Sequence, residues 1–209
     1  MTPSTLPRLR ARAAGAGLAF ALLAVTAALA GCGLFEPRDP ETPTTPSTRC
    51  RTRSAADSVI AIVQENYGAA SGVGCYASGL DVTFAFHPDP ADSIDDPDPT
   101  IYVGWNKEVE TRVTTNLAAD AQFAQAVFDS EYAARDVSND QRTETRHYAY
   151  HVLFQSKTLG TQTRFQGLAD ITLQQGPDAL WTITTWVDKR DASSSPTWGR
   201  LRRNYRTGF

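Results

Sequence analysis

Asp81, Asp170, His147, His151, Tyr148 and Tyr150 are the side chains of this sequence whose types could move protons. A carboxylate or imidazole serves as a general base, and a phenol beside it stabilises a developing oxyanion. His147 and His151 stand four apart, the spacing of a metal pair on a helix. The alternation of Tyr148, Tyr150, Val152 and Phe154 predicts a strand instead, on which four residues span about 13 Å, too far for one ion. The histidines then lie opposite the apolar face, and no metal is assigned. Asp89, Asp92, Asp95, Asp96 and Asp98 crowd one Pro-rich stretch. Without the glycine and terminal glutamate of an EF-hand, this stretch reads as a solvated loop. No Walker loop, G-x-G-x-x-G, C-x-x-C, H-E-x-x-H or G-x-S-x-G elbow occurs, and no cofactor is assigned.

The three cysteines, Cys32, Cys50 and Cys75, carry a different chemistry. Arg8, Arg10 and Arg12 precede an uncharged Ala/Leu-rich run over 13–35, the make-up of a secretory signal peptide. Leu29-Ala30-Gly31-Cys32, at the end of that run, resembles the lipobox of bacterial lipoproteins. The resemblance implies cleavage after residue 31 and acylation of Cys32, and hence export and anchoring to the cell envelope. Leu34, two places on, implies the outer membrane if the source is Gram-negative. Pro37, Pro40, Pro43 and Pro46 stack along one edge of a polyproline II helix, so 32–49 reads as a lipidated cysteine and a semi-rigid tether. In an oxidising compartment the remaining two cysteines, Cys50 and Cys75, are expected to pair. The whole sequence has 20 basic and 23 acidic residues. Loss of residues 1–31 removes three arginines and no acids, leaving a net charge of −6 and excluding a general nucleic-acid binder.

The elements that must position these residues follow from periodicity. "RSAADSVIAIVQENYGAAS" reads as a helix capped by Ser54, with Ala56, Val59, Ile60, Val63 and Tyr67 on its apolar face. "CYASGLD" reads as a short helix or turn. "DVTFAFHP" is a strand with Val82, Phe84 and Phe86 on one face. "WNKEVETRVTTNLAAD" is a helix with Trp105, Val109, Arg112, Val113 and Leu117 on one side. Strands follow: "FAQAVFDSEYAARD"; "TETRHYAYHVLFQSK"; "TRFQGLADITLQQGPD", with Phe165, Ala169, Ile171 and Leu173 together; and "LWTITTWVDKRD". Gly167 marks a bulge or bend. In the last strand Trp181, Ile183 and Val187 are expected on one side and Trp186 on the other. "TWGRLRRNY" ends the chain as a helical turn. Trp198 and Leu201 are expected against the domain, and Arg200, Arg202, Arg203 and Arg206 toward solvent. Early helices and a late meander of long strands predict an α+β fold, with N-terminal helices packed on a long, curved antiparallel sheet. A bent sheet under helices encloses a cone, for which Tyr148, Tyr150, Phe154, Phe165 and Trp181 are the candidate lining.

Trp181-x-Ile183-x-x-Trp186-x-Asp188, with Thr197-Trp198-Gly199-x-Leu201, resembles the end of a group of bacterial lipoproteins with the nuclear transport factor 2-like (cystatin-like) fold. "VTFAFHPDPAD" resembles their first strand and its Pro/Asp loop, and "WNKEVETRVTTNL" their helix opening on tryptophan. The resemblance covers roughly residues 55–205 and implies one such domain over 50–209. Proteins of this fold include ketosteroid isomerases, dehydratases and cyclases alongside binding and dimerising proteins. None of Asp81, Asp170, His147, His151, Tyr148 or Tyr150 matches a catalytic position. The expected function is therefore a non-catalytic module for an apolar ligand or a protein partner, with a homodimer allowed. A small lyase or isomerase acting on an apolar substrate is the alternative. Asp188 is expected to accept a hydrogen bond or ion pair from the tail.

Overall fold

The structure, a computed structural model, describes residues 50–207. The expected signal peptide, acylated Cys32 and Pro-rich tether lie outside the described residues. Among the described residues five helices and six strands run in the order α1 (Ala56–Asn66), α2 (Val73–Ser78), β1 (Leu80–His87), α3 (Pro90–Ile94), α4 (Lys107–Asp120), β2 (Ala121–Glu131), β3 (Asp136–Val137), β4 (Thr143–Ser156), β5 (Gln162–Gln175), β6 (Trp181–Lys189) and α5 (Trp198–Asn204). The sheet order is β1-β6-β5-β4-β2, with β3 paired to β4. All pairings are antiparallel except β1 with β6, which is parallel.

Each long element forms for the reason its pattern gives. Along β4 the inward residues Tyr148, Tyr150, Val152 and Phe154 are buried, as are Phe165, Ala169, Ile171 and Leu173 on β5. Helix α4 starts where the Asn106 side chain accepts from the Val109 amide, which satisfies one of the orphan donors of the first turn. Ala55 is the N-cap residue of helix α1 and provides no side-chain cap, so Ser54 does not serve as one. It ends before Gly68, which adopts φ +73°, a left-handed conformation that favours glycine.

Register shifts re-aim two strands. Between Leu80 and Ala85, β1 departs from β6, and Val82 turns out to solvent at 84% exposure instead of joining Phe84 and Phe86 in the core. A second shift, between Ile183 and Thr185 of β6, exchanges the expected faces. Trp186 and Asp188 point inward, fully buried, while Val187 lies on the outer face. Gly167 is not a bulge: it pairs regularly with Tyr150 on β4. A Cβ there would sit 2.5 Å from the Lys189 carbonyl and 2.8 Å from the Tyr150 hydroxyl, so glycine makes room for close packing.

The Asp/Pro stretch is not a solvated loop. It forms α3 and a 3₁₀ turn at Pro99–Tyr102, and its carboxylates receive arginines from the C-terminal part. Asp92, buried, accepts from Arg190 Nη2 at 2.7 Å, Arg200 Nε at 3.0 Å and the Thr197 hydroxyl. Asp96 holds Arg203 bidentately at 2.7 and 2.9 Å. Cys50 and Cys75 form a disulfide with an S–S distance of 2.01 Å, tying the start of the described chain to α2.

Candidate functional site

The concave side of the sheet is where a site would be sought, and it is filled. Tyr148, Tyr150, Phe154, Phe165 and Trp181 all face it and belong to one continuous core. The space before them is taken by α5. This helix begins at Thr197, whose hydroxyl accepts from the Arg200 amide. Residues 198, 201, 202 and 205 fall on one helical face, and Trp198, Leu201, Arg202 and Tyr205 are all buried. Trp198 packs edge-on against Trp186 and Tyr67, at ring separations of 4.8 and 4.7 Å, and against Tyr150 at 5.3 Å. Arg202 does not face solvent as its neighbours' charges suggested; it has no exposed surface.

Two acids form the polar heart of this interior. Glu110 of α4, also without exposed surface, accepts from Arg202 Nε at 3.0 Å, Tyr76 Oη at 2.6 Å and Trp105 Nε1 at 2.7 Å. Three donors on one buried carboxylate offset the cost of taking it out of water. Asp188 of β6 accepts from the Tyr150 hydroxyl at 2.6 Å and from the Gly199 amide at 2.5 Å. The Tyr150 oxygen in turn accepts from the Trp198 amide at 2.8 Å. Asp188 thus fastens the first turn of α5 to the sheet, the role expected of it. Burial pushes its carboxyl up to about 6, against the opposing pull of Arg202 and of these hydrogen bonds. Tyr150, buried beside that acid, is raised well above the ordinary phenol value.

The other candidate acid–base residues are scattered. Asp81 lies at the start of β1 and accepts from Thr83 and Thr182. Asp170 and His147 sit on the outer face of the sheet, where Asp170 takes Tyr132, Lys189 and His147 Nδ1, the last at 2.7 Å. This bond to Asp170 raises the His147 pKa, aided by Asp136 against the opposing effect of partial burial. His151, also outward, meets Asp129 at 2.8 Å rather than His147. Only Tyr148 and Tyr150 of that set face the cone. An open cleft of about 620 Å³ lies outside it, between β1 and α4, lined by Val82, Asn106, Lys107, Glu108, Thr111, Arg112 and Thr115. Phe165 also reaches a rim cleft beside Arg190, Pro196 and Arg200.

Sequence reasoning missed Glu110 and Arg202. The signal was present in each case. Glu110 stands three and seven residues before Val113 and Leu117, on the apolar stripe of α4, and Arg202 stands four after Trp198.

No protein-family model matches the chain, and no curated protein matches it significantly. Solved structures do. A putative scytalone dehydratase from Novosphingobium aromaticivorans is similar over 70% of this chain and 92% of its own, at TM-score 0.51 and 6% identity. A nuclear transport factor 2-like superfamily protein from Salmonella enterica covers 68% of this chain and 96% of its own, at TM-score 0.46 and 11% identity. A protein described as nuclear transport factor 2-like with a cystatin-like fold, also from Novosphingobium aromaticivorans, covers 65% and 80%, at TM-score 0.44 and 13% identity. The fold is α+β and nuclear transport factor 2-like, and at these identities the likeness shows the fold alone.

Proposed function

We propose that this chain is an exported lipoprotein, held at the membrane by acylated Cys32, whose domain is a non-catalytic interaction module. The observation that carries the non-catalytic part is the filling of the cone by Trp198 and Arg202, neither of which has exposed surface. A substrate needs a base within hydrogen-bond reach. Here both interior acids are engaged by groups of the protein itself. Recognition then falls to the exterior, by a protein partner or a second copy of the chain, or by an apolar molecule at an outer cleft. The anchor rests on Leu29-Ala30-Gly31-Cys32 at the end of an apolar run. Two or more acyl chains suffice for stable anchoring. Among the described residues no helix is long and apolar enough to cross a membrane.

The alternative, a small lyase or isomerase, has one observation in its favour: an acid raised to about 6 next to a phenol in an apolar interior. It requires α5 to leave. Mass analysis of the N-terminal peptide of membrane-extracted protein tests the anchor. The expected product begins at Cys32 and carries a diacylglyceryl group. A mature terminus elsewhere, with Cys32 unmodified, contradicts it.

A further inference from the structure

We propose that the floor of the cone is a guanidinium-binding site whose occupant, Arg202, the chain supplies from its own C-terminal helix. The Arg202 guanidinium carbon lies 4.2 Å from the ring of Trp186, 4.5 Å from that of Phe86 and 4.8 Å from that of Trp198. Its Nε donates to Glu110 at 3.0 Å, while Nη1 and Nη2, both buried, have no hydrogen-bond partner. The receptor side is built without α5. Phe86 comes from β1, Trp186 from β6 and Glu110 from α4, and Glu110 is fixed by Tyr76 and Trp105 whether or not an arginine is present. Such a box of rings around one carboxylate selects a cation by how readily it sheds water. A planar guanidinium is weakly hydrated and spreads its charge over the rings, whereas an ammonium is a compact, strongly hydrated point charge. The side chains around the Arg202 guanidinium supply one hydrogen-bond acceptor, Glu110, and otherwise aromatic contact. The ligand class is therefore a guanidinium bearing one substituent. The inference does not depend on the anchor or on the choice between module and enzyme.

Removing the arginine side chain while leaving the receptor intact exposes the site to a free cation. The experiment compares thermal melting of full-length Arg202→Ala with and without millimolar methylguanidinium chloride, against ammonium chloride at equal ionic strength. A ligand that binds only the folded state raises its melting temperature in a saturable way. Arg202→Ala is expected to melt below wild type and to regain several degrees with methylguanidinium but not with ammonium. Wild type, already occupied, and Arg202→Met, which fills the space with an uncharged chain, are expected not to respond. If Arg202→Ala does not fold unaided, the readout becomes the yield of folded protein on refolding, with the same selectivity expected. Failure of methylguanidinium to stabilise or rescue Arg202→Ala in preference to ammonium overturns the proposal. An equal response from Arg202→Met overturns it as well.

Discussion

At the scale of single residues, the interior is governed by three charges that the sequence separates widely. Asp188 ties the stability of the interior to pH. Its folded value, about 6, lies above the ordinary carboxylate value of 3.8. The folded chain therefore holds this proton more tightly than the unfolded chain does. The stabilisation from that proton is complete below the unfolded value and is lost as pH rises through the folded one, an effect of about 3 kcal/mol. Asp188→Asn cannot ionise. Its cost relative to wild type, measured by urea unfolding, should shrink between pH 4 and pH 8; an unchanged cost contradicts the account. Glu110 and Arg202 form an ion pair with no exposed surface on either side. Glu110→Gln leaves a buried guanidinium without its counter-charge, for which about 3–5 kcal/mol is expected, whereas Arg135→Ala removes a partly exposed pair with Glu131 worth less than about 1 kcal/mol. Denaturant midpoints of the two variants check this order. Asp188 was legible as an acceptor for the tail because a lone acid follows two tryptophans in a strand. The partner of Arg202 was not legible, because 92 residues separate it from Glu110 and only the fold brings them together.

At the scale of elements, the long strands β4 and β5 were readable because strict alternation runs along them without a break. Where one residue is inserted, every later side chain changes face. This is why the pattern of β6 misplaced Trp186 and Val187: the shift near Thr184 has no glycine or proline to announce it. Gly167 announced something else, namely the approach of Tyr150 and of the β6 backbone. Gly167→Val should displace the Tyr150 hydroxyl that ties α5 to Asp188, at a cost of about 1–3 kcal/mol typical of overpacking. A thermal melt of the variant matching wild type would contradict that packing. The tail was read as amphipathic, with Trp198 and Leu201 inward, and it is. Its arginines were given to solvent because surface exposure is the default for that residue. The acids that hold Arg200 and Arg203 lie in the stretch 89–98, whose own composition suggested only a polar loop, and Arg202 is held by Glu110.

At the scale of the whole molecule, one core joins helices and sheet, and two ties hold the two ends of the described residues. Residue 50 is fixed to α2 by the disulfide, and α5 is fixed inside the cone. Cys50→Ala/Cys75→Ala opens a 25-residue loop, and the chain-entropy treatment gives a loss of about 3–4 kcal/mol, to be read as a lower unfolding midpoint. The disulfide was legible from the pair of cysteines left once Cys32 was set aside for the expected acylation, and the fold from the order of helices and long strands. Whether the cone stood open was not legible, because that depends on where the last helix docks. The central claim is that α5 is a permanent part of the interior. Native-state amide hydrogen exchange tests it most directly, since protection reports the free energy of opening each segment. The account predicts that the amides of Trp198 and Gly199, bound to Tyr150 and Asp188, exchange as slowly as those in the middle of β4 and β5. Fast exchange confined to 198–205, with the sheet still protected, would mean that α5 opens as a lid and that the cone is available to a ligand.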